Sequence, residues 1–97
     1  MSKTPEAKVK DDVKKYLTSI GAYWFMPVQM GYGTTTLDFL VCWKGQFIGI
    51  ECKAPGRHCA TPRQCKVMDE IVEAGGVVFL VNAVGQIQTF DYFRPLD

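Results

Sequence analysis

Residues 36–53 read TLDFLVCWKGQFIGIECK. Thr36 to Trp43 and Gln46 to Lys53 have the alternating, β-branched and aromatic character of strands, and Lys44-Gly45 between them fits a two-residue hairpin turn. With that turn at the centre, Trp43 faces Gln46 and each pair of facing residues sums to 89. Asp38 then falls opposite Glu51. On one face of an antiparallel pair such Cβ atoms lie about 4.5–5.5 Å apart. Side chains alternate along a strand, so Glu51 and Lys53 share that face while Ile48, Ile50 and Cys52 point the other way. A slip of one residue would break the pairing.

Two facing carboxylates repel. A shared proton, a nearby cation or a bound divalent metal must offset that repulsion. With oxygen ligands alone on that face, Mg²⁺ or Mn²⁺ suits the site better than Zn²⁺. Lys53 is a structural counter-ion, or it activates a water, or it steadies a phosphate oxygen. A buried ion triad that only fixes register is the structural alternative. Such triads stabilise poorly beside apolar replacements, which favours a functional reason for this one.

On the N-terminal side of the hairpin, Thr4-Pro5 opens a helix, with Thr as N-cap and Pro at the first helical position. Val9, Val13, Tyr16, Leu17 and Ile20 recur at helical spacing and Gly21 stops it. Tyr23 to Val28 is aromatic-rich and reads as a strand, followed by a Gly31-Tyr32-Gly33 loop. On the C-terminal side, Ala54 to Ala60 is a loop. Thr61-Pro62-Arg63-Gln64 opens a second helix through a capping box, with Val67, Met68, Ile71 and Val72 as its apolar face and Gly75-Gly76 at its end. Val77 to Val81 is a continuous apolar run, as expected of a strand buried on both faces. Gln86 to Phe90 reads as a short last strand. The order α-β-β-β-α-β-β gives an antiparallel meander, then a helical crossover that makes the third and fourth strands parallel. The expected class is α/β, a mixed sheet flanked by helices.

The 97 residues, 10.9 kDa, allow one domain spanning residues 1–97. A monomer of that mass buries roughly 65% of its extended surface, enough for one core. Hydrophobic content of 47% with 22% charged residues excludes a disordered chain. No apolar run approaches the roughly 18 residues of a membrane span, and none resembles a signal peptide, so a cytoplasmic location and no membrane partner are expected. Four cysteines in such a chain are expected to be reduced thiols. Net charge is +1, but its distribution is polarised: +4 over residues 44–66 and −4 over residues 67–97. Such a chain offers a polyanion one basic face, although ordinary solvated surface explains the same charges.

Asp38, followed after twelve residues by Glu51-Cys52-Lys53, resembles the D…E-x-K core of the PD-(D/E)xK nuclease superfamily. Over residues 4–90 the chain resembles its stand-alone VRR-NUC branch. Glu6 on the first helix matches that family's helix-borne acidic residue, and Gln64 its glutamine at the start of the second helix. Leu37 stands where the family usually has proline. The resemblance implies the restriction-endonuclease-like αβββαβ core. It also implies a metal, Mg²⁺ or Mn²⁺, held by Asp38, Glu51 and the backbone carbonyl of Cys52. Lys53 would orient or deprotonate the attacking water, and Glu6 would complete an outer shell or bind a second ion. Gln64 would serve the active site besides its capping role, which by itself accounts for the residue. Metal and Lys53 together would stabilise charge building on the phosphoryl group.

Cys52, His58, Cys59 and Cys65 lack the C-x-x-C spacing of a zinc knuckle, so no zinc is expected. Arg57, His58, Arg63 and Lys66 lie in an acid-poor stretch and are candidates for phosphate contacts, as are the backbone N–H groups around Gly31 and Gly33. Lys3, Lys8, Lys10, Lys14 and Lys15 fit a solvated helix face as well as a DNA contact. Tyr23, Trp24, Phe25, Phe90, Tyr92 and Phe93 exceed what one small core needs, so some are expected at an interface. Symmetric cutting of a branched molecule needs two sites, which a two-fold homodimer supplies. Stand-alone proteins of the resembled branch are linked to Holliday-junction cleavage, and the lack of a fused domain favours that substrate. The expectation is therefore a homodimeric endonuclease acting on four-way DNA. The alternatives are a flap or nicking nuclease, or a non-catalytic nucleic-acid-binding or assembly module on the same fold.

Overall fold

The computed structural model describes residues 3–28 and 36–88. Helix α1 (Pro5–Ser19) starts where Thr4 Oγ1 accepts a hydrogen bond from the Ala7 amide, 3.1 Å away, and ends before Gly21 in the left-handed region. Strands β1 (Tyr23–Phe25), β2 (Phe39–Trp43) and β3 (Gln46–Cys52) form the meander. Helix α2 (Pro62–Glu73) crosses over to β4 (Val77–Val81), and a short helix α3 (Gly85–Gln88) follows. The sheet order is β1-β2-β3-β4, with the first two pairings antiparallel and β3–β4 parallel.

The hairpin register is as read from the sequence. Trp43 faces Gln46 and Phe39 faces Ile50, so every pair sums to 89. Lys44 (φ 53°) and Gly45 (φ 78°) both occupy the left-handed region. That is the backbone of a type I′ turn, whose twist matches the flanking strands and locks their pairing.

The two faces of the sheet are covered differently. Val9, Val13 and Leu17 of α1 and Ile87 of α3 pack with Phe39, Val41, Trp43, Ile48, Ile50, Cys52 and Val81 into the main core. Trp43 Nε1 donates to the Ile20 carbonyl, 3.2 Å away, and ties the sheet to the end of α1. The opposite face carries α2, none of whose residues is fully buried. Gly49 is where α2 meets the sheet: a Cβ there would lie 2.8 Å from Leu37 Cδ1 and 2.9 Å from Ile71 Cδ1. Leu37 is itself fully buried, so at the position where proline is usual this chain places an apolar plug over Gly49.

Four expectations change. Thr36 to Trp43 is a strand only from Phe39. Gln86 to Phe90 is not a strand across its described part: Gly85–Gln88 is helical, and residues 89–90 lie outside the described residues. Gln86 Oε1 accepts from the Asn82 and Ala83 amides at 2.8 and 3.3 Å, which closes a tight turn and turns Ile87 into the core. Residues 77–80 of β4 are only half-buried, because among the described residues β4 is the sheet edge and α2 covers it incompletely. Tyr23 to Val28 is a strand only as far as Phe25.

Candidate active site

The hairpin brings the two carboxylates together. Asp38 lies one residue before β2, and its Oδ2 accepts a hydrogen bond from the Cys52 amide at 2.9 Å, continuing the β2–β3 ladder through a side chain. Glu51 lies near the end of β3 and is 5% exposed. Burial and the facing Asp38 carboxylate push the Glu51 carboxyl up to about 7, against the opposing pull of Lys53. The strand turns Cys52 into the core, where burial, reinforced by Asp38 and Glu51, pushes its thiol up to about 12. Its side chain is thus a neutral packing group.

Gln64 joins the parts. As the third residue of α2 it completes the capping box: Thr61 Oγ1 accepts from the Gln64 amide at 3.2 Å, and Gln64 Oε1 accepts from the Thr61 amide at 2.9 Å. The same Oε1 accepts from Lys53 Nζ at 2.9 Å. Two donors at the oxygen fix the amide's orientation, and Nε2 then donates to Glu51 Oε2 at 2.8 Å. Lys53 Nζ is 3.9 Å from that same Glu51 oxygen. Capping and site roles are served by one side chain at once.

Lys10 was not singled out from the sequence. Its Nζ lies 3.5 Å from Asp38 Oδ1 and 3.5 Å from Glu6 Oε2. Burial works against its charge, but Asp38 and Glu6 outweigh it and hold the ammonium above its ordinary range. Glu6 thus reaches Asp38 only through Lys10. The available signal was the Glu6/Lys10 spacing of four, which places the two side chains together on a helix.

Glu6, Asp38, Glu51, Lys53, Arg63 and Gln64 line one cleft of about 310 Å³, together with Thr36, Thr61 and Val67. Arg57, His58 and Lys66 are exposed and do not line it. Gly31 and Gly33 lie outside the described residues, as do Phe90, Tyr92 and Phe93. Asn82, also unremarked in the sequence, holds the loop that carries Arg57 and His58. A larger groove of about 620 Å³ shares Thr36 and Val67 with the cleft, but its walls are chiefly Phe47, Ile71, Ala74 and glycines, with Glu70 its one ionisable group. The facing carboxylates, Lys53 and Gln64 all belong to the smaller cleft.

Among the described residues no three His, Cys, Asp or Glu side chains are grouped to hold a metal. The carboxylates lining the cleft are Asp38, Glu51 and Glu6, to which the family resemblance would add the Cys52 backbone carbonyl. These are hard oxygen donors of the kind Mg²⁺ and Mn²⁺ take. The strained ionisation of Glu51 fits a carboxylate pair that a cation would relieve. All four cysteines are unpaired, with Cys42, Cys59 and Cys65 exposed. Among the described residues no helix is long and apolar enough to cross a membrane.

No protein-family profile matches the sequence, and no curated protein matches it at a significant level. Among solved structures, a VRR_NUC domain matches with a TM-score of 0.75 and 21% sequence identity, over 89% of this chain and 92% of that one. Its likeness spans the mixed four-stranded sheet and its flanking helices, and the chain therefore has the fold of a VRR_NUC domain.

Proposed function

We propose that the protein is a nuclease of the VRR-NUC type, a divalent-metal-dependent endonuclease that hydrolyses phosphodiester bonds in DNA. The observation that carries this reading is the contiguous set Asp38, Glu51, Lys53 and Gln64 in one cleft. A surface that only binds a polyanion gains nothing from a carboxylate pair, one member of it buried, facing it. The shared VRR_NUC fold supports the same reading.

Asp38, Glu51 and the Cys52 carbonyl would hold Mg²⁺ or Mn²⁺, which would polarise a phosphoryl oxygen and make a bound water more acidic. Lys53 spends one N–H on Gln64 and keeps others for the water or a phosphate oxygen. Gln64 aligns Lys53 with Glu51, and Lys10 balances charge at Asp38. In the reaction the water oxygen would form a bond to phosphorus and pass its proton to solvent in the cleft, while the bond to the departing sugar oxygen breaks and that oxygen takes up a proton from solvent. Glu6 is held at the rim by Lys10, where it would complete an outer shell or serve a second ion. Arg63 at the cleft, with Arg57, His58 and Lys66 nearby in the chain, would meet the DNA backbone.

The substrate we propose is a four-way junction, cut by a homodimer. Support for association comes from the open part of the α2 face. Tyr23 and Phe47 both flank Cys42 in the sheet and are 72% and 46% exposed, and Phe25 is 52% exposed. A row of this kind is more apolar surface than isolated residues explain. The test is cleavage of duplex, flap and four-way DNA in Mg²⁺, Mn²⁺ or EDTA, with light scattering alongside. Paired, symmetric incisions in the junction, little cutting of duplex, none in EDTA and a mass near twice 10.9 kDa are expected. Equal cutting of plain duplex, or a monomer at micromolar concentration, overturns the junction assignment. No cutting of any DNA overturns the nuclease.

A further inference from the structure

Asn82 follows β4 directly and is 9% exposed. The last pairing of the parallel ladder lies beside it, since the Lys53 amide donates to the Val81 carbonyl at 2.8 Å. Asn82 therefore sits at the strand ends that lead into the cleft. Its Nδ2 donates to the Arg57 carbonyl at 2.8 Å and lies 3.1 Å from His58 Nδ1. Its own amide is held by Gln86 Oε1 at 2.8 Å.

These contacts decide a proton position. A backbone carbonyl only accepts, so the atom facing Arg57 must be the amide nitrogen. The same nitrogen has a second N–H and faces His58 Nδ1, so that ring nitrogen accepts. The proton of the neutral imidazole then lies on Nε2, at the far side of the ring. His58 is exposed, so this N–H is offered outward.

We propose that Asn82 is a positioning residue for DNA binding: it pins the 54–60 loop to β4 and sets His58 in the tautomer that donates from Nε2 to a phosphate oxygen. The proposal rests on the nuclease reading for its ligand. A phosphodiester presents only acceptors, so the opposite tautomer would aim a lone pair at it. The loop's surroundings match. From Lys53 to Val67 the chain carries Lys53, Arg57, His58, Arg63 and Lys66 and no acid. The loop is also tethered at both ends to the cleft wall, by Lys53 and by Thr61.

His58 is the sole histidine, so a two-bond ¹H–¹⁵N spectrum reports its tautomer without assignment. The wild type is expected to show protonated Nε2 and bare Nδ1. Asn82→Ala is expected to give mixed tautomers and to weaken four-way DNA binding in EDTA about twofold, because part of the population keeps its proton on Nε2. His58→Ala, a surface change that leaves the core alone, should lose about fivefold, the worth of one ordinary hydrogen bond, and the double variant should lose no more than His58→Ala. For cleavage, KM should rise with kcat within about twofold. A wild-type ring protonated on Nδ1, or His58→Ala binding DNA as the wild type does, overturns the proposal. Failure of the wild type to cut DNA with Mg²⁺ or Mn²⁺ counts separately, against the nuclease reading.

Discussion

The two faces of this sheet follow different rules. The face under α1 and α3 is dry and closed: Leu17, Phe39, Ile48, Ile50 and Ile87 are fully buried there. The face under α2 holds a buried glutamate, a glycine at the closest approach and a helix with no fully buried residue. One hairpin serves both, because side chains alternate along β3: Ile48, Ile50 and Cys52 go to the core, Gly49 and Glu51 to the site. In a chain this short, the core and the candidate site are separated by parity along a strand rather than by distance along the sequence.

The largest break in the comparison should come from the closed face. Phe39→Ala removes a fully buried ring that stacks edge-on against Trp24 and should cost about 3–5 kcal/mol in urea unfolding, with cleavage per folded molecule little changed. The site face should respond in the opposite sense. Glu51 titrates near 7 when folded and near 4.5 when unfolded. The unfolded chain therefore releases this proton first as pH rises, and metal-free stability should fall between about pH 4.5 and 7 and level off above. Glu51→Gln should remove that slope, leave the metal-free protein the more stable of the two at pH 8, and abolish both cleavage and the rise in Tm with Mg²⁺ or Mn²⁺. An unchanged metal-induced shift would place the cation elsewhere.

Gln64→Ala should fall between the two behaviours. Loss of half the capping box should cost about 1 kcal/mol, while cleavage drops roughly tenfold or more as Lys53 loses its alignment with Glu51. The smallest effect should be at Val72, 53% exposed on α2, where Val→Ala should change stability by less than about 0.5 kcal/mol. Thermal unfolding of the two variants, with single-turnover rates, checks both.

Most of this division is legible in the sequence. Lys44-Gly45 fixes the hairpin register, and the register alone puts Asp38 opposite Glu51. Thr61 and Gln64 announce a helix start, but only the family resemblance, and not the capping pattern, points Gln64 toward Glu51 and Lys53. What was hidden depends on tertiary placement. Lys10 looks like one of four lysines of α1 until that helix is laid across the end of the sheet. Asn82 carries no signal in the sequence, and its role shows only where the 54–60 loop folds back on it. Gln86 to Gln88 carry a single apolar residue, too little for periodicity to tell strand from helix, and the side chain of Gln86 decides it. The apolar run of β4 suggests burial on both sides, but the helix opposite it covers only half.

Whether the cleft under α2 cuts DNA or only binds it turns on Lys53. Lys53→Met leaves the core untouched and removes one positive charge from a DNA interface that would spread over many. Single-turnover cleavage of a four-way junction in Mg²⁺, measured with binding in EDTA on the same preparation, should show the rate down by about 10²-fold or more and affinity within about threefold. Cleavage by Lys53→Met at near the wild-type rate would contradict the assignment.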